Sequence, residues 1–233
     1  MPKFPDLAEY AAAIAPIIDA AHVNVHASAL KAVTELAETS GVTPGLLSDL
    51  RFVFPLRPVT RAQLGSIYRY GETDVQEQVR KGTLVEDDGV LRTTAEGLEF
   101  IHRLYEVHAA ATERVWGGHD LPGLAGLAGR VLDQAGRTPG GALEAVAPPY
   151  EPEGAAPGLL LFNRLAVLRY HRADAHAAAW QAAGLSVAEI VGLRDGPLRA
   201  GIETDTNLRA GAAYEVLSAD ERDTLYDGLL KLV

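Results

Sequence analysis

Apolar residues recur at three- and four-residue steps along most of this chain, the spacing of helices that bury one face. Leu7, Tyr10, Ile14, Ile17 and Ile18 predict a helix from Asp6 to His22, and a second fits Asn24 to Thr39, closed by Ser40 and Gly41. Thr43-Pro44 starts a short helix, because proline suits a first helical turn. Pro55 and Pro58 then interrupt the pattern. Thr60 with Gln63, and Thr73 with Gln76, have capping-box spacing and open two helices that end near Gly71 and Gly82. Between Leu84 and Arg92 the period changes. Leu84–Glu86 and Val90–Arg92 read as strands around Asp87-Asp88-Gly89, a hairpin signal. Thr93 with Glu96 then caps a long helix to about Trp116, with Leu98, Ile101, Leu104, Tyr105 and His108 on one face.

The remainder divides in two. From 117 to 158 the chain is rich in Gly, Pro and Ala, with one helical piece around Leu124–Gln134, and reads as a connector, packed or free. A strong helix follows over Leu159–Gly184, a shorter one from Ser186, and a last one from Ser218 to about Leu232. The expected organisation is a winged-helix domain with N-terminal helices over 1–116, a connector over 117–158 and a helical domain over 159–233. The fold class is mainly α with a small β-hairpin.

Helix, turn, helix, hairpin and helix over Val59–Ile101 is the order of a winged helix-turn-helix. The two capped helices, the Lys81-Gly82 exit and Leu91-Arg92-Thr93-Thr94-Ala95-Glu96-Gly97 resemble the MarR-like winged-helix regulators over residues 25–116. In that family the second capped helix enters the major groove and the hairpin tip reaches the minor groove or phosphates. The resemblance therefore implies DNA as partner and a homodimer. It puts Thr73, Gln76, Gln78, Arg80 and Lys81 on the groove helix, with Arg92 beside the wing. Gln can read adenine edges and Arg guanine. Charge pulls the other way. Thr60–Arg92 holds five bases against six acids, and Glu86, Asp87 and Asp88 stand at the wing tip, where the regulators carry arginine. Affinity for DNA rests heavily on neutralised phosphates. A winged helix used as a scaffold for protein contacts is the alternative.

Leu159–Gly184 carries the other unusual pattern. With Leu165 at the centre of a helical face, Arg169, Arg172 and His176 fall within the apolar stripe, while Asn163, His171, Asp174 and Gln181 fall opposite and read as solvated. A buried arginine needs a partner. The run Gly201–Asn207 offers Glu203 and Asp205, and one of them is expected to reach Arg172 or His176. The group reads either as a polar network fixing helix register or as the floor of a small-molecule pocket walled by Trp180, Phe162 and Tyr170. Leu168–Leu185 and Ile202–Leu208 also resemble an uncharacterised actinobacterial family that carries a helix-turn-helix label.

The chain has 233 residues, no cysteine and a formal charge of −10, so disulfides, thiolate metal sites and a cysteine nucleophile are excluded. His22 and His26 read as surface or packing residues, and His102 and His108 as long-helix residues near an interface. No phosphate loop, nucleophile elbow or zinc-protease motif is present. No catalytic residue, metal or cofactor is expected, though a pocket enzyme using His176 and Arg172 stays open as an alternative. The N-terminal segment has no signal-peptide pattern, and no window reaches the ~20 apolar residues of a membrane span. A cytoplasmic location is expected.

Overall fold

A computed structural model describes residues 3–233; Met1 and Pro2 of the first predicted segment lie outside the described residues. The fold is mainly α with one small sheet. Asp6 and Gly41 bound a single 34-residue helix α1 (Leu7–Ser40), where two helices were expected. Nothing at Val23-Asn24 breaks a helix, and Tyr10, Ile14, Ile18, Ala21 and Val25 continue one buried face across the expected gap. Pro16 lies inside α1 on an exposed position, away from the packed face.

The winged-helix order follows: α2 (Gly45–Asp49), β1 (Val59–Thr60), α3 (Arg61–Ile67), α4 (Val75–Arg80), β2 (Leu84–Asp87), β3 (Val90–Thr93) and α5 (Ala95–Trp116). The capping box Thr60–Gln63 is present. Two caps sit one residue later than the sequence suggests. Asp74, not Thr73, accepts from the Glu77 amide to start α4, and Thr94, not Thr93, accepts from Gly97 to start α5. Either residue of each polar pair could cap, and Thr93 is taken by the sheet. Strands pair antiparallel in the order β1-β3-β2, with Val59 opposite Leu91 and Asp87 opposite Val90. Asp88 (φ 47°) and Gly89 (φ 72°) turn the hairpin in the two-residue form that needs positive φ at both positions.

The remaining helices are α6 (Leu121–Gln134), α7 (Ala142–Val146), α8 (Pro157–Ala182), α9 (Val187–Val191), α10 (Pro197–Gly211) and α11 (Ala219–Leu230), with a 3-10 turn over Ala212–Val216. The stretch expected as connector is packed. Leu124, Ala128 and Val131 of α6, and Leu143 and Val146 of α7, are buried. One hydrophobic core joins them to α1, α5 and α8, so the three expected segments share a single interior. A smaller cluster holds Ala177, Ala179, Trp180, Ile190 and Ile202. Helix α8 is buried on nearly every side, because α1, α5, α6, α7 and α10 all pack on it. Asn163, His171 and Asp174, which read as solvated, are therefore buried, while Gln181 is exposed. No described helix is long and apolar enough to cross a membrane.

Candidate functional site

Three regions carry the polar side chains that could act. The first is the winged-helix face. Gln76, Arg80, Lys81 and Arg92 are exposed, and Thr73 is half-buried. Gln78 is not on that face. It is 1 % exposed, its Nε2 donates to the Thr43 carbonyl (2.9 Å) and its Oε1 accepts from Thr83 Oγ1 (2.7 Å). Its placement among groove-reading residues is corrected: position 78 lies three residues from buried Val75, on the inward side of the short helix. Arg80 is held by acids of its own helix end, Glu77 at 2.6 Å and Asp74 at 3.9 Å. Glu86 at the wing is neutralised by a two-bond grip from Arg61 (2.7 and 2.6 Å), which also holds the Glu86 carboxyl below the usual range. Among the described residues, Lys81 and Arg92 have no ion-pair partner.

The second region joins the helix-turn-helix to α8. Two residues of the turn between α3 and α4 anchor there. Arg69 pairs with Asp174 (3.4 Å), whose carboxylate also accepts from the backbone amides of Ala142 (2.9 Å) and Leu143 (2.8 Å) at the start of α7. Tyr70 Oη accepts from Trp180 Nε1 (2.8 Å) and lies 3.0 Å from His176 Nδ1. His176 in turn faces Glu203 (3.9 Å), and Arg172 donates to Glu203 (3.2 Å) and to Asn207 Oδ1 (2.8 Å). Burial lowers the His176 pKa, although Glu203 opposes the shift. The acid that reaches this pair is Glu203. Asp205 instead pairs with Arg209 on its own helix at 2.9 Å. The run Gly201–Asn207 lies inside α10, and residues two apart on a helix point in different directions.

Arg172 and His176 line a cavity of about 250 Å³ between α1, α8 and α10, with Asp19, Ile18, Arg169 and Tyr214 on its other walls. Arg169 is exposed rather than buried; it pairs with Asp19 (2.6 Å) and touches His22 Nδ1 (3.1 Å). Phe162 does not wall this cavity, and Tyr170 lines a different one, with Arg69 and Tyr70.

The third region is a buried basic centre around Phe162. His22, His26 and His108 surround that ring at 4.9, 5.1 and 5.0 Å between centroids, and the Arg51 guanidinium lies 4.5 Å from it. His22 and His108 are buried and His26 is half-buried beside them, so His22 and His26 serve packing, and His108 lies in the core where an interface was expected. Their signal in the sequence was faint: His22 continues the buried face of α1, with His26 one turn on at its edge, and His108 continues that of α5. Arg51 follows the short helix α2 and carried no sequence signal. Among the described residues no three His, Asp or Glu side chains come together to hold a metal.

Compared with protein-family models, curated proteins and solved structures, the chain matches none of them.

Proposed function

We propose that this protein is a cytoplasmic winged-helix regulator that binds DNA as a homodimer and takes a small-molecule signal in the cavity beside Arg172 and His176. The observation that carries this reading is the polar chain from Glu203 through His176 to Tyr70. Tyr70 stands in the turn that sets the angle of α4, so a ligand that displaces His176 or Arg172 changes the support of the groove helix. Two half-sites must lie roughly 34 Å apart for two such helices to bind one DNA face. A ligand acts only through its different affinity for the two arrangements.

Contact with phosphate falls to Lys81 and Arg92, since Arg80 and Arg61 already serve nearby acids. Selection of genomic fragments by the purified protein across a salt series tests the reading. It is expected to enrich one short palindrome, with Lys81→Ala lowering the log–log salt slope by about one per protomer. No enrichment at low salt overturns it. The acidic wing tip and the exposed Val85 on β2 favour a second reading, in which the winged helix contacts another protein. Capture of a defined protein partner that Val85→Lys abolishes, without DNA selection, would establish that reading instead.

A further inference from the structure

Arg51 is 1 % exposed, and among the described residues no carboxylate forms an ion pair with its guanidinium. One hydrogen bond is made, from Nη1 to the Ser48 carbonyl at 2.8 Å. Nε and Nη2 are buried and have no partner among the described residues. A guanidinium in a core is costly unless it is paired, and loss of a partner leaves the whole desolvation penalty. Asp49 acts on it only through space, because that carboxylate accepts from Tyr68 Oη at 2.7 Å and makes no ion pair with Arg51. Burial, followed by the field of Arg51, lowers the pKa of His108 and of His22 and takes His26 down to about 4, so all three imidazoles are neutral near pH 7. Burial pushes the Tyr105 and Tyr170 hydroxyls up to about 12, so they stay neutral as well. Further buried polar atoms are unpartnered among the described residues: both ring nitrogens of His108 and Nε2 of His22, which pack on Phe162, and Oδ1 of Asn163, whose Nδ2 donates to Tyr105.

The two unpartnered nitrogens of Arg51 define a geometry. Nε and Nη2 form one edge of the planar guanidinium, the edge that accepts a planar oxyanion through two parallel hydrogen bonds. This protein uses that edge twice on its own carboxylates. Arg61 grips Glu86 through Nε and Nη2, and Arg164 grips Glu151 the same way at 2.7 and 2.8 Å. Both of those pairs are more exposed than Arg51.

We propose that the Nε/Nη2 edge of Arg51 binds the carboxylate of a small organic acid inside the core, among His22, His108 and Asn163. The rings pack around Phe162 at about 5 Å between centroids, so only the smallest carboxylates, formate and acetate, are candidates. The α1–α8–α10 cavity borders this centre through Arg169, which lines it and also touches His22. Arg51, His22, His108 and Asn163 are not among the residues that line that cavity, where Arg172 and His176 stand. Phe162 and Arg172 are ten residues apart on α8, roughly 15 Å at ~1.5 Å per residue, so this inference does not rest on the regulator reading.

The test uses the full chain in gluconate buffer, an anion too bulky for the site, at constant ionic strength. Formate and acetate are titrated, with nitrate as the inorganic planar oxyanion, while the thermal midpoint and the ¹⁵N–¹H signal of the arginine Nε groups are followed. A saturable rise in midpoint with formate or acetate is expected, together with a shift of the one Nε signal that Arg51→Met removes. Arg51→Met should fold, because it removes an unpaired buried charge and keeps the apolar bulk. It is expected to weaken half-saturation at least tenfold, and Arg51→Lys, which keeps charge without the two-pronged edge, is expected to do the same. Arg172→Met should leave the response intact. A rise that is equal in the Arg51 variants, or no rise over gluconate, overturns the proposal. A response to nitrate alone overturns the carboxylate assignment.

Discussion

At the scale of single residues, this protein concentrates its unusual chemistry where charge has been taken out of water. Asp174 does so with full compensation: two backbone amides and Arg69 satisfy its carboxylate. The histidines around Phe162 do so by staying neutral, and that has a consequence for stability. A histidine whose folded pKa lies below its unfolded value of about 6.5 takes up a proton on unfolding whenever the pH is between the two values. For His26 that window runs from about 6.5 down to about 4. His22 and His108, shifted further by burial, extend it to lower pH. Their contribution is intact above pH 6.5 and is lost as the pH falls through the window. Each histidine adds a slope approaching ~1.4 kcal/mol per pH unit. Chemical denaturation at pH 7, 6 and 5 should therefore show stability falling with acid more steeply than one proton accounts for. His22→Phe and His108→Phe should each flatten the fall. A flat profile between pH 7 and 5 would show that these rings already carry protons in the folded protein.

At the scale of elements, the winged helix was legible and the packing around it was not. Capping boxes at Thr60, Ser186 and Ser218 and the Asp-Gly turn are local signals, written in residues three apart or adjacent, and each lies where its spacing puts it. The faces of α8 were misread because a helical wheel presumes one wet side, and α8 has almost none. A centre assembled from α1, the turn after α2, α5 and α8 leaves no local pattern at all. Gly97 shows how a close packing contact can be hidden in a helix start. A Cβ built there would lie 2.2 Å from the Thr83 carbonyl oxygen and 2.6 Å from Thr93 Oγ1, so α5 sits against the backbone that leads into β2. Alanine is the better helix former by ~1 kcal/mol, yet here it must push backbone aside, which typically costs about 1–3 kcal/mol. Gly97→Ala is thus expected to lower the urea midpoint with an unchanged slope. An equal or higher midpoint would mean that the wing moves away without cost.

At the scale of the whole molecule, the late helices close over the early ones. Trp116 Nε1 at the end of α5 donates to the Leu232 carbonyl (3.2 Å), and Asn24 of α1 donates to the same oxygen (3.0 Å). Tyr10 reaches the Arg222 carbonyl (3.0 Å), Lys3 pairs with Asp227, and Arg130 of α6 pairs with Glu221. Gly211 of α10 admits the backbone of Leu7, whose carbonyl oxygen would lie 2.8 Å from an added Cβ. These contacts join residues 91 to 224 positions apart, and the apolar core runs unbroken beneath them. Removing 159–233 would strip Phe162, Leu165 and Leu168 from that core and expose the faces of α1, α5 and α6. Each half would then lose a shared face of that core, so unfolding should be one cooperative event although the chain exceeds the usual two-state size. The two tryptophans allow a direct check, because Trp116 lies in the main core and Trp180 in the smaller cluster beside α9 and α10. In urea, helix content by far-UV circular dichroism and the fluorescence of a Trp180→Phe variant, which reports Trp116 alone, should follow a single curve. The complementary Trp116→Phe variant reports Trp180, and its curve is expected to coincide with the first or to precede it only slightly, since α9 is mostly exposed. Two transitions well separated in urea, with Trp116 unfolding apart from most of the helix signal, would mean that the segments on either side of residues 117–158 are independent domains after all.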